Sequence, residues 1–516
     1  MKKLWISFLI LFMLVGGLYA SDLHTVAQAQ SDRVLRVGMD VDADLLDPRL
    51  ARNTTGFRVN NLIYDGLVEL DAATLVPQPS LALSWSQPDS MTWVFELRQD
   101  VTFHDGTPLT AADVVATFEA ILDPDFGAPD RGLYAPLSGV EALGDFTVQF
   151  TASQPYAPLL SYMDKGIVPQ HVVDAGGDLA NEPVGSGPFR FVQWDKNSKI
   201  VVESNPDYWG GQPSLAGLEF VVVSDNTARA QALEAGDLDL VQSPLSPQDI
   251  NRLAGDDRFA NTITAGFGYT YLNFQTQFEL FQNVNVRRAI AMMVPQEVIA
   301  DGIYEGIDIQ ATSILMPNHF AYTPSINQPA NSDAAALALL AQEGWTDSNG
   351  DGMLDKDGEN LSFVITTHTE DPNRVQTVEL LQNILAGNGI ETSLNIQPFN
   401  SVIGDILAGN YELLLLGWLN LVDPDRAMFN QLHSQGSSNW GNYSNPVVDA
   451  ALDAGRTALT VAGRTQAYQN AARVIADEVP YFVLQYQGFH QFRTPDLNNF
   501  TADARGHLRS LAEASF

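Results

Sequence analysis

The alternation of apolar and polar positions is most regular over residues 82–115, ALSWSQPDSMTWVFELRQDVTFHDGTPLTAADVV. Trp93, Phe95 and Leu97 fall on one face and Val94 and Glu96 on the other, the period of two of a half-buried strand. His104-Asp105-Gly106-Thr107-Pro108 interrupts that pattern with a turn, because Gly accepts positive φ and Pro presets its own. Thr110, with Asp113 three residues on, predicts a capping-box start for a helix over Ala111–Leu122. Val114, Val115, Phe118 and Ile121 lie on its apolar side.

The same patterns place elements along the rest of the chain. A strand is predicted over 34–39, a helix over 58–67 broken by Gly66, and an amphipathic helix over 227–235 that stops at Gly236 and leads to a strand over 237–241. A strand over 269–274 precedes a helix from Val284 that must end before Pro295. Helices over 334–343 and 375–386 alternate with strands over 361–366 and 391–396, the rhythm of an α/β lobe. The four leucines at 413–416 read as a parallel strand buried on both faces, and 452–476 as a pair of helices. At the start, Met1-Lys2-Lys3 and the apolar run 4–18 read as an export signal, shorter than the roughly 20 residues of a membrane span. Cleavage after Ala20 or after Ala29 fits, and the second leaves folded-looking sequence immediately downstream.

Composition narrows the function. The chain has 516 residues, no cysteine and a formal charge of −35. That length exceeds one compact core and implies two or three domains. Strong acidity argues against nucleic-acid binding and against docking on anionic lipid. Without cysteine there is neither a disulfide nor a lipid-bearing thiol, so an exported chain diffuses freely in the periplasm and is held together by core burial alone. Catalysis leaves no signature: there is no Cys nucleophile, HExxH, GxSxG or SxxK, and the eight histidines are scattered. A chain without enzymatic activity is the expectation.

The order Trp, polar turn, aromatic strand ending in Leu97-Arg98, then Phe103-His104-Asp105-Gly106-Thr107-Pro108-Leu109-Thr110-Ala111-Ala112-Asp113-Val114 resembles the signature of the bacterial family 5 extracellular solute-binding proteins. A second marker, Glu182-Pro183-Val184-Gly185-Ser186-Gly187-Pro188-Phe189, is followed by Phe191, Trp194 and Asn205-Pro206-Asp207-Tyr208-Trp209. Its glycines lack the Lys-Ser/Thr of a phosphate loop, so they read as a tight strand entry. The resemblance implies an α/β, two-lobed periplasmic binding protein fold with a hinge and an extra domain. The expected divisions are a signal peptide over 1–29, domain I over 30–67, 183–270 and 481–516, domain II over 68–182, and domain III over 271–480. It also implies a monomer that captures a small solute between its lobes and delivers it to an ABC permease and its ATPases.

Within that frame the ligand residues expected are Arg52, Asn53 and Thr54 in the loop before the first helix, Gly417, Trp418, Asn420 and Asp423 at the end of the leucine strand, and Trp440 and Tyr443. Trp440 and Tyr443 either stack on ligand or cap the helix that follows. Peptide-binding members often carry an acid where Arg52 stands and an acid after the Gly-Trp pair that anchors the peptide ammonium. Here Asn420 is the nearest polar substitute, and Leu415 offers no Arg for a carboxylate. A peptide is the first expectation. An oligosaccharide or other small solute, or a sensory or chaperone-like module without transport, is the alternative. Finally, Asp347, Asn349, Asp351 and Asp355 have the alternate spacing of half a calcium loop, although Gly358 stands where the closing Glu belongs; the other reading is an Asx-turn loop with no cofactor.

Overall fold

The computed structural model describes residues 31–72, 75–369, 371–419 and 421–516, so the expected signal peptide over 1–29 and Asn420 lie outside the described residues. Fifteen strands among them build two principal sheets. In chain order these are β1 (Ser31–Met39), β2 (Ala82–Asp89), β3 (Thr92–Leu97), β4 (Leu137–Gly144), β5 (Thr147–Ala152), β6 (Phe189–Asp195), β7 (Lys199–Ser204) and β8 (Leu215–Val222). They continue with β9 (Leu240–Val241), β10 (Ala260–Phe274), β11 (Ile309–Gln310), β12 (Ser362–His368), β13 (Glu391–Gln397), β14 (Leu413–Trp418) and β15 (Tyr481–Arg493). The helices that matter below are α1 (Thr54–Ile63), α2 (Ala111–Leu122), α3 (Val284–Met292), α4 (Pro372–Gly387), α5 (Phe399–Ala408), α6 (Pro424–Leu432), α7 (Pro446–Thr457) and α8 (Val461–Glu478).

The large sheet runs β13-β12-β14-β10-β15-β9-β1-β8-β7-β6, with β11 attached to β15. It contains two parallel groups: β1 pairs in parallel with β8 and β9, and β12 with β13 and β14. The antiparallel pair β10–β15 joins them. Residues 260–265 of β10 face 488–493 beside β9, whereas Tyr269–Asn273 face 481–486 and run against β14. Register slips between Ala265 and Tyr269. There a Cβ on Gly268 would overlap Gln487 Oε1 and lie 2.7 Å from the Trp418 carbonyl, and one on Gly488 would overlap the Ile307 carbonyl. Glycine is required at both positions because neighbouring chains pass so closely. Asp308 ties this crossing down by accepting from Gly488 N (2.8 Å) and Gln485 Nε2 (2.9 Å); burial pushes its pKa up to about 6.

The strand expected over 269–274 is therefore the second half of a 15-residue one. Polar, partly exposed Asn261-Thr262-Ile263-Thr264 and the glycines hide the first half from a hydrophobic pattern. The division expected between 270 and 271 falls inside this continuous strand. The helix expected over 58–67 is Thr54–Ile63, starting at the Asn53 cap and ending before Gly66, and the strand expected over 237–241 is reduced to Leu240–Val241. Leu413 and Leu415 enter one core, Leu414 and Leu416 the core on the opposite face, which accounts for the uninterrupted leucines. Helix α3 ends at Met292, three residues short of Pro295.

The small sheet, β2-β3-β5-β4, forms its own core with α2, in which Phe118 meets Phe150 edge to face at 4.9 Å. The Thr110–Asp113 capping box is present at the start of α2. Val115 is only partly buried, and Thr117 takes its place inside: its hydroxyl donates to Asp113 O (2.7 Å) and accepts from Val168 N (3.1 Å). The two sequence markers meet here. His104 N donates to Gly185 O (2.7 Å), and the His104 ring lies 3.0 Å from Gly187 O. Burial pushes the His104 pKa down to about 4, keeping the ring neutral. Gly185 and Gly187 lie against the last carbonyls of α1, where a Cβ on either would overlap backbone. The glycine-rich marker is thus a packing device that fastens the small sheet to the end of α1.

Candidate ligand-binding site

A cavity of about 500 Å³ opens where α1, the small-sheet domain, the start of α6 and the segment Arg505–Arg509 converge. Each wall has a local cause. Asn53 caps α1 by accepting from Gly56 N (2.8 Å), and this sets the angle at which Arg52 and Thr54 reach the cavity. Asp423 caps α6 by accepting from Asp425 N (2.9 Å), and this places Val422 and Arg426 on the facing wall. Asp65, buried at the end of α1, accepts from Ser186 Oγ (2.8 Å) and Trp209 Nε1 (3.0 Å) and pairs with Arg509.

The lining is cationic in a chain that is strongly acidic. Six cationic side chains (Arg52, Arg58, Lys165, Arg426, Arg505, Arg509) line it against four acids (Asp65, Glu69, Asp130, Asp164). The acids are paired: Asp130 with Lys165 at 2.8 Å, Asp164 with Arg505 at 3.5 Å, Asp65 and Glu69 with Arg509. Burial would raise Asp130, but the Lys165 ammonium outweighs it and holds the carboxyl below the usual range. Burial does prevail at Asp164, whose pKa is raised. Arg58 bonds only neutral groups, Gln242 O, Ser243 Oγ and Gly506 O, and burial pushes its pKa down to about 10. Arg52 and Arg426 make no ion pair among the described residues, and both line the cavity, Arg52 ahead of α1 and Arg426 in the first turn of α6.

The expected site residues divide accordingly. Arg52 and Thr54 line the cavity. Asn53 instead spends its side chain on the α1 cap and on Asp42 O (2.8 Å). Asp423, expected to face ligand, is 2 % exposed and pairs with Arg464 at 2.6 Å while accepting from Ser161 Oγ (3.2 Å). Tyr443 is likewise internal, its hydroxyl donating to Glu478 Oε2 (2.7 Å). Trp418 and Trp440 stack with centroids 5.0 Å apart at 26°, packed on the core beside the strand crossing rather than on the cavity wall. Gly417 lies beneath the Arg374 guanidinium, which a Cβ there would strike. Asp347, Asn349, Asp351 and Asp355 do not form a calcium cage. Asp347 accepts from Gly350 N (2.8 Å) and Gly352 N (3.1 Å), Asp351 from Met353 N (2.8 Å), and Asp355 from Ser348 N and Oγ (2.9 and 2.6 Å). No three acidic or histidine side chains converge for a metal among the described residues. The loop is closed by these Asx-type hydrogen bonds.

Two residues were not anticipated. Arg426 sits three positions beyond the Asp423-Pro424 helix start. Arg374 lies in the first turn of α4, after the carboxyl end of β12, where α/β lobes collect binding groups; its Nη1 is 2.8 Å from His368 Nε2 and its Nε 3.2 Å from Asp371 Oδ2. A basic residue in the turn after a predicted strand was the available signal in both cases.

Comparison with known proteins agrees with this architecture. Protein XP55 of Streptomyces lividans is 30% identical over 459 residues, 87% of this chain and 83% of that protein. The oligopeptide-binding protein AppA of Bacillus subtilis is 26% identical over 504 residues, 92% of this chain and 90% of its own. A solved structure of that AppA in complex with a nonapeptide matches with a TM-score of 0.75 at 24% identity, over 94% of this chain and 99% of that one. NikZ from Campylobacter jejuni in complex with Ni(L-His) matches with a TM-score of 0.77 at 24% identity, over 94% of this chain and 100% of that one. No helix among the described residues is long and apolar enough to cross a membrane. Residues 76–440 match the family described as bacterial extracellular solute-binding proteins, family 5 Middle, and on that match the chain belongs to family 5 of the bacterial extracellular solute-binding proteins.

Proposed function

We propose that this chain is the exported, periplasmic receptor of an ABC importer and that it captures a short peptide or peptide-like solute bearing an anionic group. The observation that carries the reading is the cavity of about 500 Å³ lined by Arg52 and Arg426, neither of which makes an ion pair among the described residues. That volume lies within the roughly 300–1,000 Å³ usual for small-ligand pockets. A carboxylate between the two guanidiniums would make charge-assisted hydrogen bonds to both walls, so ligand binding would favour the state in which the walls are close together, and the permease would read that state. The names of the relative AppA and of its nonapeptide complex support a peptide over other solutes. No step breaks a covalent bond, in keeping with a family of binding proteins.

Native mass spectrometry of the ligand that co-purifies with the protein, followed by titration of that ligand into Arg52→Glu and Arg426→Glu, tests this. A charge-assisted bond contributes about 1.5–3 kcal/mol, so each reversal is expected to weaken binding by roughly 10- to 150-fold. Exclusive recovery of glycans, or of cationic ligands unaffected by either reversal, would overturn the proposal.

A further inference from the structure

At the opposite end of β14 from Trp418, a second cavity of about 520 Å³ opens between the C-terminal turn of α5, the turn at 275–278 and Asn442. It shares no lining residue with the first cavity, and six strand residues at about 3.3 Å each put roughly 20 Å between the two ends of β14.

The lining carries hydrogen-bonding groups that the fold itself leaves unused. Thr366 is 1 % exposed, yet its Oγ1 has no hydrogen-bond partner among the described residues, an uncommon condition for a buried hydroxyl. Asn395 stands opposite it in register on β13, on the same face of the sheet. The carboxamides of Asn395 and Asn410 make no hydrogen bond among the described residues. Glu412, which also lines the cavity, accepts from Val364 N (2.6 Å) through one oxygen. Phe278 supplies an apolar wall. The rim is fixed in advance: Asn442 Nδ2 donates to Gln275 Oε1 (3.1 Å), and Gln275 Nε2 donates to Trp440 O (3.2 Å).

The charge pattern selects among ligands. No cationic side chain lines this cavity. Glu412 and the C-terminal end of α5, the negative end of its dipole, repel anions. Amide and hydroxyl groups together offer donors and acceptors side by side, which matches a ligand whose every hydroxyl both donates and accepts. We propose that this cavity binds an uncharged, hydroxyl-rich ligand of the size of a mono- or disaccharide.

The test is calorimetric titration of the full chain with glucose, N-acetylglucosamine, maltose and lactose, and with glucosamine and glucuronate as charged arms. At least one neutral sugar is expected to saturate below about 10 mM. Its affinity is expected to fall about tenfold or more in Asn395→Ala/Asn410→Ala and to stay within about twofold in Arg52→Glu. Thr366→Val is expected to weaken the sugar without lowering the melting temperature, since it removes a polar group that nothing in the fold satisfies; a hydroxyl with a merely structural role would lower it. Failure of every neutral sugar to saturate, binding of only the charged sugars, or loss of sugar binding in Arg52→Glu with retention in the Asn395/Asn410 variant would each overturn the inference.

Discussion

Replacing Asp423 tests whether this acid holds the protein together or holds its ligand. Its carboxylate is 2 % exposed, lies 2.6 Å from Arg464 Nη2, caps α6 through Asp425 N and accepts from Ser161 Oγ in the small-sheet domain. With alanine there, the buried Arg464 guanidinium keeps only Gly455 O (3.2 Å) and Tyr468 Oη (3.3 Å). Removing one partner of a buried ion pair costs about 3–5 kcal/mol, and losing an N-cap adds about 1 kcal/mol. Asp423→Ala should therefore lose about 4–6 kcal/mol, and Asp423→Asn, which keeps a capping oxygen, about 3–5 kcal/mol. In calorimetry that corresponds to roughly 6–20 °C for the Asn variant if the cooperative unit is of about 200 residues. Asp423→Leu combined with Arg464→Met should recover at least about 2 kcal/mol relative to the summed single losses, because the stranded charge is gone. Below its melting temperature, the Asn variant should hold the co-purified ligand within about threefold of the parent. An Asp423→Ala variant within about 1 kcal/mol of the parent, or one of unchanged stability that loses ligand about a hundredfold, would refute the structural assignment.

Gly185→Ala and Gly417→Ala should differ sharply. The new Cβ at 185 overlaps the backbone carbonyl of Ile63, whereas the one at 417 overlaps only the guanidinium end of Arg374 and lies 3.2 Å from the Tyr269 carbonyl. A loss above about 3 kcal/mol is expected for the first and below about 1.5 kcal/mol for the second in urea denaturation; equal losses would contradict the packing. Acid should also destabilise the fold. Burial holds His319 and His490 near a pKa of about 4 against an ordinary 6.5, so the unfolded chain binds protons first and stability is lost as pH falls from about 6.5 to 4. Asp308 works in the opposite sense, its raised pKa of about 6 removing stability as pH rises from about 4 to 6. His319→Asn should flatten the acid limb by up to about 3 kcal/mol in a pH series of melting curves, and an unchanged limb would count against neutral burial. Calcium added to chelator-stripped protein should leave the melting temperature unmoved, since the oxygens of Asp347, Asp351 and Asp355 accept from their own loop; a rise of several degrees reversed by chelator would restore the cation reading.

What could be read in advance was local. The strand at Trp93, the capping box at Thr110 and the doubly buried leucines follow from spacing and propensity, and each is where the pattern puts it. The site was only partly legible. Arg52 and Thr54 do reach the cavity, but Asn53 and Asp423 have the residue types both of helix caps and of ligand groups, and the surrounding fold decides between those uses. Tyr443 was ambiguous for the same reason: its hydroxyl needed a partner, and Glu478, 35 residues later, is supplied only by tertiary packing. Arg426 becomes a candidate because Asp130 on the facing wall is already taken by Lys165, and no window of sequence contains both facts.

The position of β15 bears on how such a molecule is made. This strand comes about two hundred residues after β10, yet it lies at the centre of the large sheet, between β10 and β9. At roughly 5–20 residues per second of synthesis, some ten to forty seconds separate the emergence of β10 from that of the strand that completes its pairing. Contacts of such long range form late in folding. The second parallel group, β12 to β14, itself emerges within that interval, and from Trp418 until β15 appears the nascent chain holds both groups without the strand that unites them. A ribosome that stopped short of Tyr481 would leave out the join between two halves rather than an edge.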